Sequence, residues 1–294
     1  MPELPEVETV RAWLAPALIG STLRRVEFRR EDLRYPIPVA AVHGHVGQRV
    51  TAVRRRAKYL LFDTHEDVSN GTSALLVHLG MSGRCWLEPD PHDPPAWKKH
   101  EHWRMWWMQR DTPQLLRYED ARRFGALDVV PDEAAHRLLV TLGHEPFDPA
   151  FSGAWLHRST RRRTTAIKTF LMDAKRVVGV GNIYASEACW RAGVHPLKPA
   201  GKVGRVAANR LVQAVRDVLQ EAIAAGGSTL KDFVGGDANP GYFQQRLDVY
   251  ARGGKACHRC EPNHEADDAH APAFPISRSV LLGRATYYCP VCQK

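Results

Sequence analysis

A chain of 294 residues, 44% hydrophobic and 25% charged, carries enough apolar material for two substantial cores, which excludes disorder throughout. With 41 Lys and Arg against 32 Asp and Glu the formal net charge is +9, so a polyanion is the leading partner class. No apolar run approaches bilayer-spanning length and the first residues are acids and prolines, so neither a membrane span nor a secretory leader is expected, and a cytoplasmic location is.

The chain opens Met1-Pro2-Glu3-Leu4-Pro5-Glu6-Val7-Glu8. Methionine before a small residue is usually trimmed, leaving a secondary amine at the terminus. Such an amine, once deprotonated, is a nucleophile that can form an iminium with a sugar carbon, and Glu3 places a carboxyl group beside it. The same residues also suit an ordinary helix start, because acids in the first turn favour the macrodipole and Pro5 fits the first helical position. Taken alone, the helix start is the stronger reading. Val7, Val10, Leu14 and Leu18 then fall on one helical stripe.

Short β-rich runs follow at 23–28, 49–54, 59–62, 75–79, 103–108, 115–118 and 126–130, with polar loops at 64–73 and 89–99. So many short strands predict a sandwich or barrel of one domain's length. Arginines are bunched as Arg54-Arg55-Arg56, Arg122-Arg123 and Arg161-Arg162-Arg163, each beside a structured segment, which suits phosphate tracking along a folded groove.

Beyond residue 131 the pattern becomes helical, most strongly over 203–225, where Val206, Leu211, Val215, Val218, Leu219 and Ile223 keep helix spacing before Gly226-Gly227 stops them. The segment Val178-Gly179-Val180-Gly181-Asn182-Ile183 resembles a glycine turn feeding a helix N-terminus, with Asn182 at the capping position and backbone amides free to cradle an anion. Neither a G-x-G-x-x-G nor a P-loop lysine pattern is present. With Arg158, Arg161, Arg162, Arg163 and Lys168 just upstream, a DNA phosphate is the most economical anion.

Four of the six cysteines form Cys257-x-x-Cys260 and Cys289-x-x-Cys292. Two such knuckles complete a tetrahedron of thiolates around one structural zinc, and disulfides are the weaker reading in an unsecreted chain. The 28 residues between Cys260 and Cys289 exceed the usual spacing of about 15–20, and His264 and His270 within them are alternative ligands. Four cysteines are preferred because they close the site, and metal then supplies what burial cannot in so short a segment. Arg284 is expected to project from a hairpin between the knuckles, and Cys85 and Cys189 to be plain buried thiols.

Taken together, Pro2-Glu3-Leu4-Pro5-Glu6, Arg55-Arg56-Ala57-Lys58-Tyr59-Leu60, His78-Leu79-Gly80-Met81-Ser82-Gly83, Arg122-Arg123-Phe124-Gly125, the 178–187 turn, Pro240-Gly241-Tyr242-Phe243 and the cysteine pairs resemble the formamidopyrimidine-DNA glycosylases of the helix-two-turn-helix superfamily. The match runs the length of the chain. It implies an α+β multidomain fold: an N-terminal helix with a β-sandwich over 1–133, a helix-two-turn-helix domain over 134–240 and a zinc ribbon hairpin over 241–294.

The resemblance also implies roles. Pro2 is the nucleophile toward C1′ of a flipped, damaged nucleotide, and Glu3 is the acid that assists sugar opening. Lys58 serves β-elimination and holds a phosphate; Arg284 serves δ-elimination. Met81, Arg122 and Phe124 fill the gap left in the duplex, and His100, Arg163 and Asn182 contact phosphates. The chemistry is reasonable, since an α-amino group has a pKa of roughly 7.7–8.0 against about 10.4 for lysine. The expected protein is a monomeric, cytoplasmic, nucleoid-associated glycosylase and AP lyase that removes oxidised purines from double-stranded DNA. Two rivals are an endonuclease VIII type enzyme for oxidised pyrimidines and a non-catalytic zinc-ribbon DNA-binding protein. The Glu3-Leu4-Pro5-Glu6 opening and the Arg122/Phe124 pair resemble the purine branch; the second rival leaves Pro2-Glu3 and Lys58 unexplained. Ala121 stands where the family often has proline and Arg163 where it has lysine, and neither change removes a charge.

Overall fold

The computed structural model describes residues 2–65, 72–91, 93, 95–227, 247–260 and 274–294. Met1, His264, His270 and the Pro240-Gly241-Tyr242-Phe243 motif lie outside the described residues. Two units divide the described residues: one takes those up to Thr141 with 225–227, the other Leu142 to Ala224 with 247–260 and 274–294.

In the first unit, helix α1 (Leu4–Leu18) buries Val7, Val10, Leu14 and Leu18 on the stripe that their spacing predicts, each at most 1% exposed. Its start is closed by Glu6, whose carboxylate accepts the Glu3 amide at 2.7 Å, satisfying one of the donors that every helix N-terminus leaves open. The strands β1 (Thr22–Phe28), β2 (Arg49–Arg56), β3 (Tyr59–His65), β4 (Thr72–His78), β5 (Arg84–Pro89), β6 (Glu101–Gln109), β7 (Thr112–Glu119) and β8 (Ala126–Val130) are joined antiparallel in the order β5-β7-β6-β1-β2-β3-β4-β8. A short helix, α2 (Val39–His43), lies between β1 and β2 in the chain.

β1 and β2 meet through the single pair Thr22↔Arg49, so the sheet divides there into two four-stranded halves. Both strands bulge near that pair, β1 between Leu23 and Arg25 and β2 between Val50 and Ala52. Each bulge adds one residue to the alternation, so Leu23 and Val26, like Val50 and Val53, point the same way although they stand three apart. One core holds these side chains together with Phe62, Val77, Trp103, Trp107 and Tyr118. The sandwich is as expected. β5 is the strand that the sequence pattern does not announce: it pairs on one side only, with β7, and ends in Pro89, which an edge strand tolerates.

In the second unit α3 (Gly153–Thr160) is capped by Ser152, whose hydroxyl accepts the Trp155 amide at 3.2 Å. It is followed by α4 (Ile167–Leu171), two turns, α5 (Asn182–Arg191) and α6 (Arg205–Ala224). The periodicity of α6 matches its buried face at Leu211, Val215, Val218 and Leu219, whereas Val206, in the first turn, is 70% exposed. Strands β9 (Ser277–Leu281) and β10 (Arg284–Tyr288) form a hairpin closed by Leu282 and Gly283, both at positive φ, the twist that two-residue hairpin loops favour. Among the described residues no helix is long and apolar enough to cross a membrane.

Candidate functional site

Pro2 and Glu3 are both buried ahead of α1. The β2–β3 hairpin, whose two-residue turn is Ala57-Lys58, is tied to this helix. Arg55 donates to Glu8 of α1 at 2.9 Å and to the Ala57 carbonyl at 2.9 Å, which helps hold Ala57 at φ +56°, a conformation that residues with a Cβ rarely adopt. Arg11 of α1 takes the other Glu8 oxygen at 2.7 Å. Lys58 is thereby carried on a turn braced against the helix that begins at the terminal pair. His78 stands near enough to feel the Lys58 charge. Burial, and then the charges of Lys58 and Arg34, push its imidazole down to about 4, so it is neutral at pH 7 and brings no second cation to Lys58.

Met81 sits in the loop after β4, and Arg122 and Phe124 in the loop after β7. Close backbone approach brings the two loops together: a Cβ at Gly80 would lie 2.4 Å from the Gly125 amide nitrogen, and one at Gly125 would lie 2.6 Å from the His78 carbonyl oxygen. Only glycine fits either position. Phe124 is left 43% exposed, with the Arg122 guanidinium 5.1 Å from its ring centre. An exposed aromatic under an arginine at a glycine-locked tip is an arrangement that can wedge into a stack of bases. His100 is exposed, and its carbonyl accepts the Asp120 amide at 2.9 Å.

In the second unit the structure departs from one expectation. Gly181 occupies the cap position of α5, and Asn182 is its first helical residue. The Asn182 side chain faces the hairpin instead: its Nδ2 donates to the Ala285 carbonyl at 3.0 Å, and its Oδ1 accepts from Lys168 Nζ at 2.7 Å. Lys168, 1% exposed, also donates to Thr286 Oγ1 at 2.8 Å and to the Ala285 carbonyl at 3.4 Å. These bonds root β10, whose first residue Arg284 is exposed beside the hairpin tip, and a cavity lined by Lys168, Asn182, Arg284 and Thr286 opens there. Arg163 is exposed in the turn after α3.

The four cysteines converge. Their sulfurs all lie within 4.8 Å of one another, with Cys257 to Cys292 at 3.9 Å and Cys260 to Cys289 at 3.7 Å. Those separations are far beyond a disulfide of about 2.05 Å and close to the roughly 3.8 Å edge of a thiolate tetrahedron with metal–sulfur bonds of about 2.3 Å. Four thiols so placed can hold a metal ion. Cys85 and Cys189 are fully enclosed, and burial pushes both thiols up, Cys189 to about 12; neither is a ready nucleophile.

Sequence reasoning passed over Asp120 and left Lys168 as generic positive charge. For Lys168 a local signal was available, the apolar residues Ile167, Phe170 and Leu171 around it; for Asp120, whose partner Ser82 is distant in the chain, there was none.

Two helices separated by two turns and followed by a cysteine-bearing hairpin define the helix-two-turn-helix class. Comparison with known proteins is specific. Residues 1–127 match the model of the formamidopyrimidine-DNA glycosylase N-terminal domain, and residues 142–234 that of the formamidopyrimidine-DNA glycosylase H2TH domain. The formamidopyrimidine-DNA glycosylase of Alkalilimnicola ehrlichii is 46% identical over 300 residues, with each chain fully covered. Among solved structures, the MutM (Fpg) protein from Thermus thermophilus aligns with a TM-score of 0.79 at 38% identity, covering 99% of this chain and 98% of that one. A complex between Lactococcus lactis Fpg and DNA containing an abasic site aligns with a TM-score of 0.83 at 29% identity, covering 99% of each chain. The chain belongs to the formamidopyrimidine-DNA glycosylase family.

Proposed function

We propose that this protein is a base-excision-repair glycosylase with AP lyase activity that acts on oxidised purines, 8-oxoguanine and formamidopyrimidines, opposite cytosine in double-stranded DNA. It works as a monomer in the cytoplasm, on the nucleoid. The observation that carries the reading is the buried Pro2-Glu3 pair at the start of a helix braced to the Lys58 hairpin, in a chain of this family.

The Pro2 nitrogen, freed by removal of Met1, attacks C1′ of the flipped nucleotide and displaces the base, and the amine becomes an iminium when the C1′–O4′ bond breaks and the sugar opens. Glu3 supplies and takes up the proton that sugar opening requires. Lys58 holds a phosphate and serves β-elimination; Arg284 serves δ-elimination. Arg122, all donor, meets the acceptors of the orphaned cytosine, while Phe124 and Met81 occupy the space of the lost nucleotide. His100, Arg163 and Asn182 take phosphates. The ion suited to four thiolates is a single zinc; Cys257, Cys260, Cys289 and Cys292 would hold it, and it would brace the hairpin that carries Arg284.

Borohydride reduction during incubation with an abasic duplex tests the nucleophile. The protein is expected to become covalently attached through its terminal nitrogen, with the adduct sharply reduced in Pro2→Gly; no adduct from Met1-processed protein refutes the lyase. Metal analysis is expected to find one zinc per chain, lost in Cys257→Ala. Unchanged content in that variant would move the ligand set elsewhere.

A further inference from the structure

Asp120, directly after β7, is fully buried, and a buried carboxylate is costly unless donors surround it. Here they come from both loops that carry the gap-filling residues. Oδ1 accepts from Ser82 Oγ at 2.6 Å and from the Arg122 amide at 3.3 Å. Oδ2 accepts from the Gly125 amide at 2.8 Å and from Tyr118 Oη at 3.3 Å. Ser82 Oγ is itself approached by the Arg122 amide at 3.1 Å. One carboxylate therefore grips the residue after Met81 and both ends of the Arg122-Arg123-Phe124 turn, whose middle residue lies at φ +56°.

The backbone of the same residue reaches a third segment. Its amide donates to the His100 carbonyl at 2.9 Å, and its carbonyl accepts from His102 Nε2 at 2.8 Å and from the Arg123 amide at 3.2 Å. Side-chain and main-chain functions are thus separable. A change confined to the carboxylate disturbs the two gap loops and leaves the attachment of His100 in place.

We propose that Asp120 is a positioning residue for opposite-base selection: its carboxylate sets the loops of Met81, Arg122 and Phe124 in the register that lets the Arg122 guanidinium distinguish an orphaned cytosine from adenine. This rests on the gap-filling role given above to Arg122. Four donors face the carboxylate, and an asparagine offers one acceptor oxygen in place of two, so in Asp120→Asn some of those donors meet an amide nitrogen whichever way the group turns. Recognition by fixed hydrogen-bonding geometry is sensitive to such small displacements.

The test is the ratio of 8-oxoguanine excision rates opposite cytosine and opposite adenine, measured for the full chain and for Arg122→Ala, Asp120→Asn and Ser82→Ala, with undamaged-duplex affinity measured in parallel. Asp120→Asn is expected to lower the ratio about tenfold and Ser82→Ala by a smaller factor of about two to three, with affinity for undamaged DNA unchanged because the phosphate contacts are untouched. If Arg122→Ala collapses the ratio while folded Asp120→Asn keeps the wild-type value, the positioning role is overturned and the gap-filling role stands. If Arg122→Ala itself leaves the ratio intact, both fall. Should Asp120→Asn fail to fold, Ser82→Ala decides, and an unchanged ratio there overturns the proposal.

Discussion

His78 shows how one side chain couples stability to the chemistry of its neighbour. Its ring lies 4.9 Å from that of Tyr59, and its Nδ1 accepts the Gly80 amide at 3.2 Å, a bond that needs an unprotonated nitrogen. The folded-state value of about 4, set by burial and then by Lys58 and Arg34, lies below the ordinary 6.5. Between those two values the unfolded chain binds the proton that the folded chain refuses. The stabilisation is therefore complete above about pH 6.5 and is lost as pH falls from there to about 4, by at most about 3 kcal/mol. Denaturant midpoints at pH 7 and pH 4.5 should separate accordingly. His78→Gln should narrow that separation, although His45, His102 and His195, all lowered by burial, keep part of it. An unnarrowed gap in the variant would contradict a neutral His78.

At the scale of elements, the loops after β4 and β7 are locked by the absence of side chains as much as by bonds. A Cβ on Gly125 would lie 1.8 Å from the Tyr118 hydroxyl, and Tyr118 cannot yield, since it is fully buried and its ring stacks on Trp103 at 4.9 Å and 3°. Gly125→Ala should therefore cost at least about 1–3 kcal/mol, read as a fall in melting temperature, and should impair lesion excision; a variant as stable as wild type would mean that the loops have slack. These contacts mark the limit of what the sequence discloses. α1, the strands and the cysteine tetrad were legible because each rests on a local pattern: a helical stripe, alternation, paired thiols. β5 was missed because Cys85 is the one buried residue of its six, which leaves no apolar alternation to read, and Asn182 was misplaced by one residue because its side chain answers Lys168 and Ala285 rather than its own helix. Asp120 was invisible for a stronger reason: Ser82, one of its partners, lies 38 residues away, and no spacing rule relates them.

Across the whole molecule the excess of +9 acts through counterion release, so affinity for DNA should fall log-linearly with salt, with a slope of about −0.9 per phosphate engaged. Two exposed residues separate that general attraction from recognition of the lesion. Arg163 is a cation in a surface turn; Phe124 is uncharged and 43% exposed at a loop tip. Arg163→Ala should weaken binding to undamaged and abasic-analogue duplexes by the same factor and make the slope shallower by about one. Phe124→Ala should leave the slope unaltered, because it removes no charge, and weaken only the abasic-analogue complex, where there is a gap to fill. Titrations of both duplexes over a salt series read the two effects from one data set. If Phe124→Ala weakens both duplexes alike, the ring is a general contact and the gap-filling assignment fails; if Arg163→Ala leaves the slope unchanged, that arginine touches no phosphate.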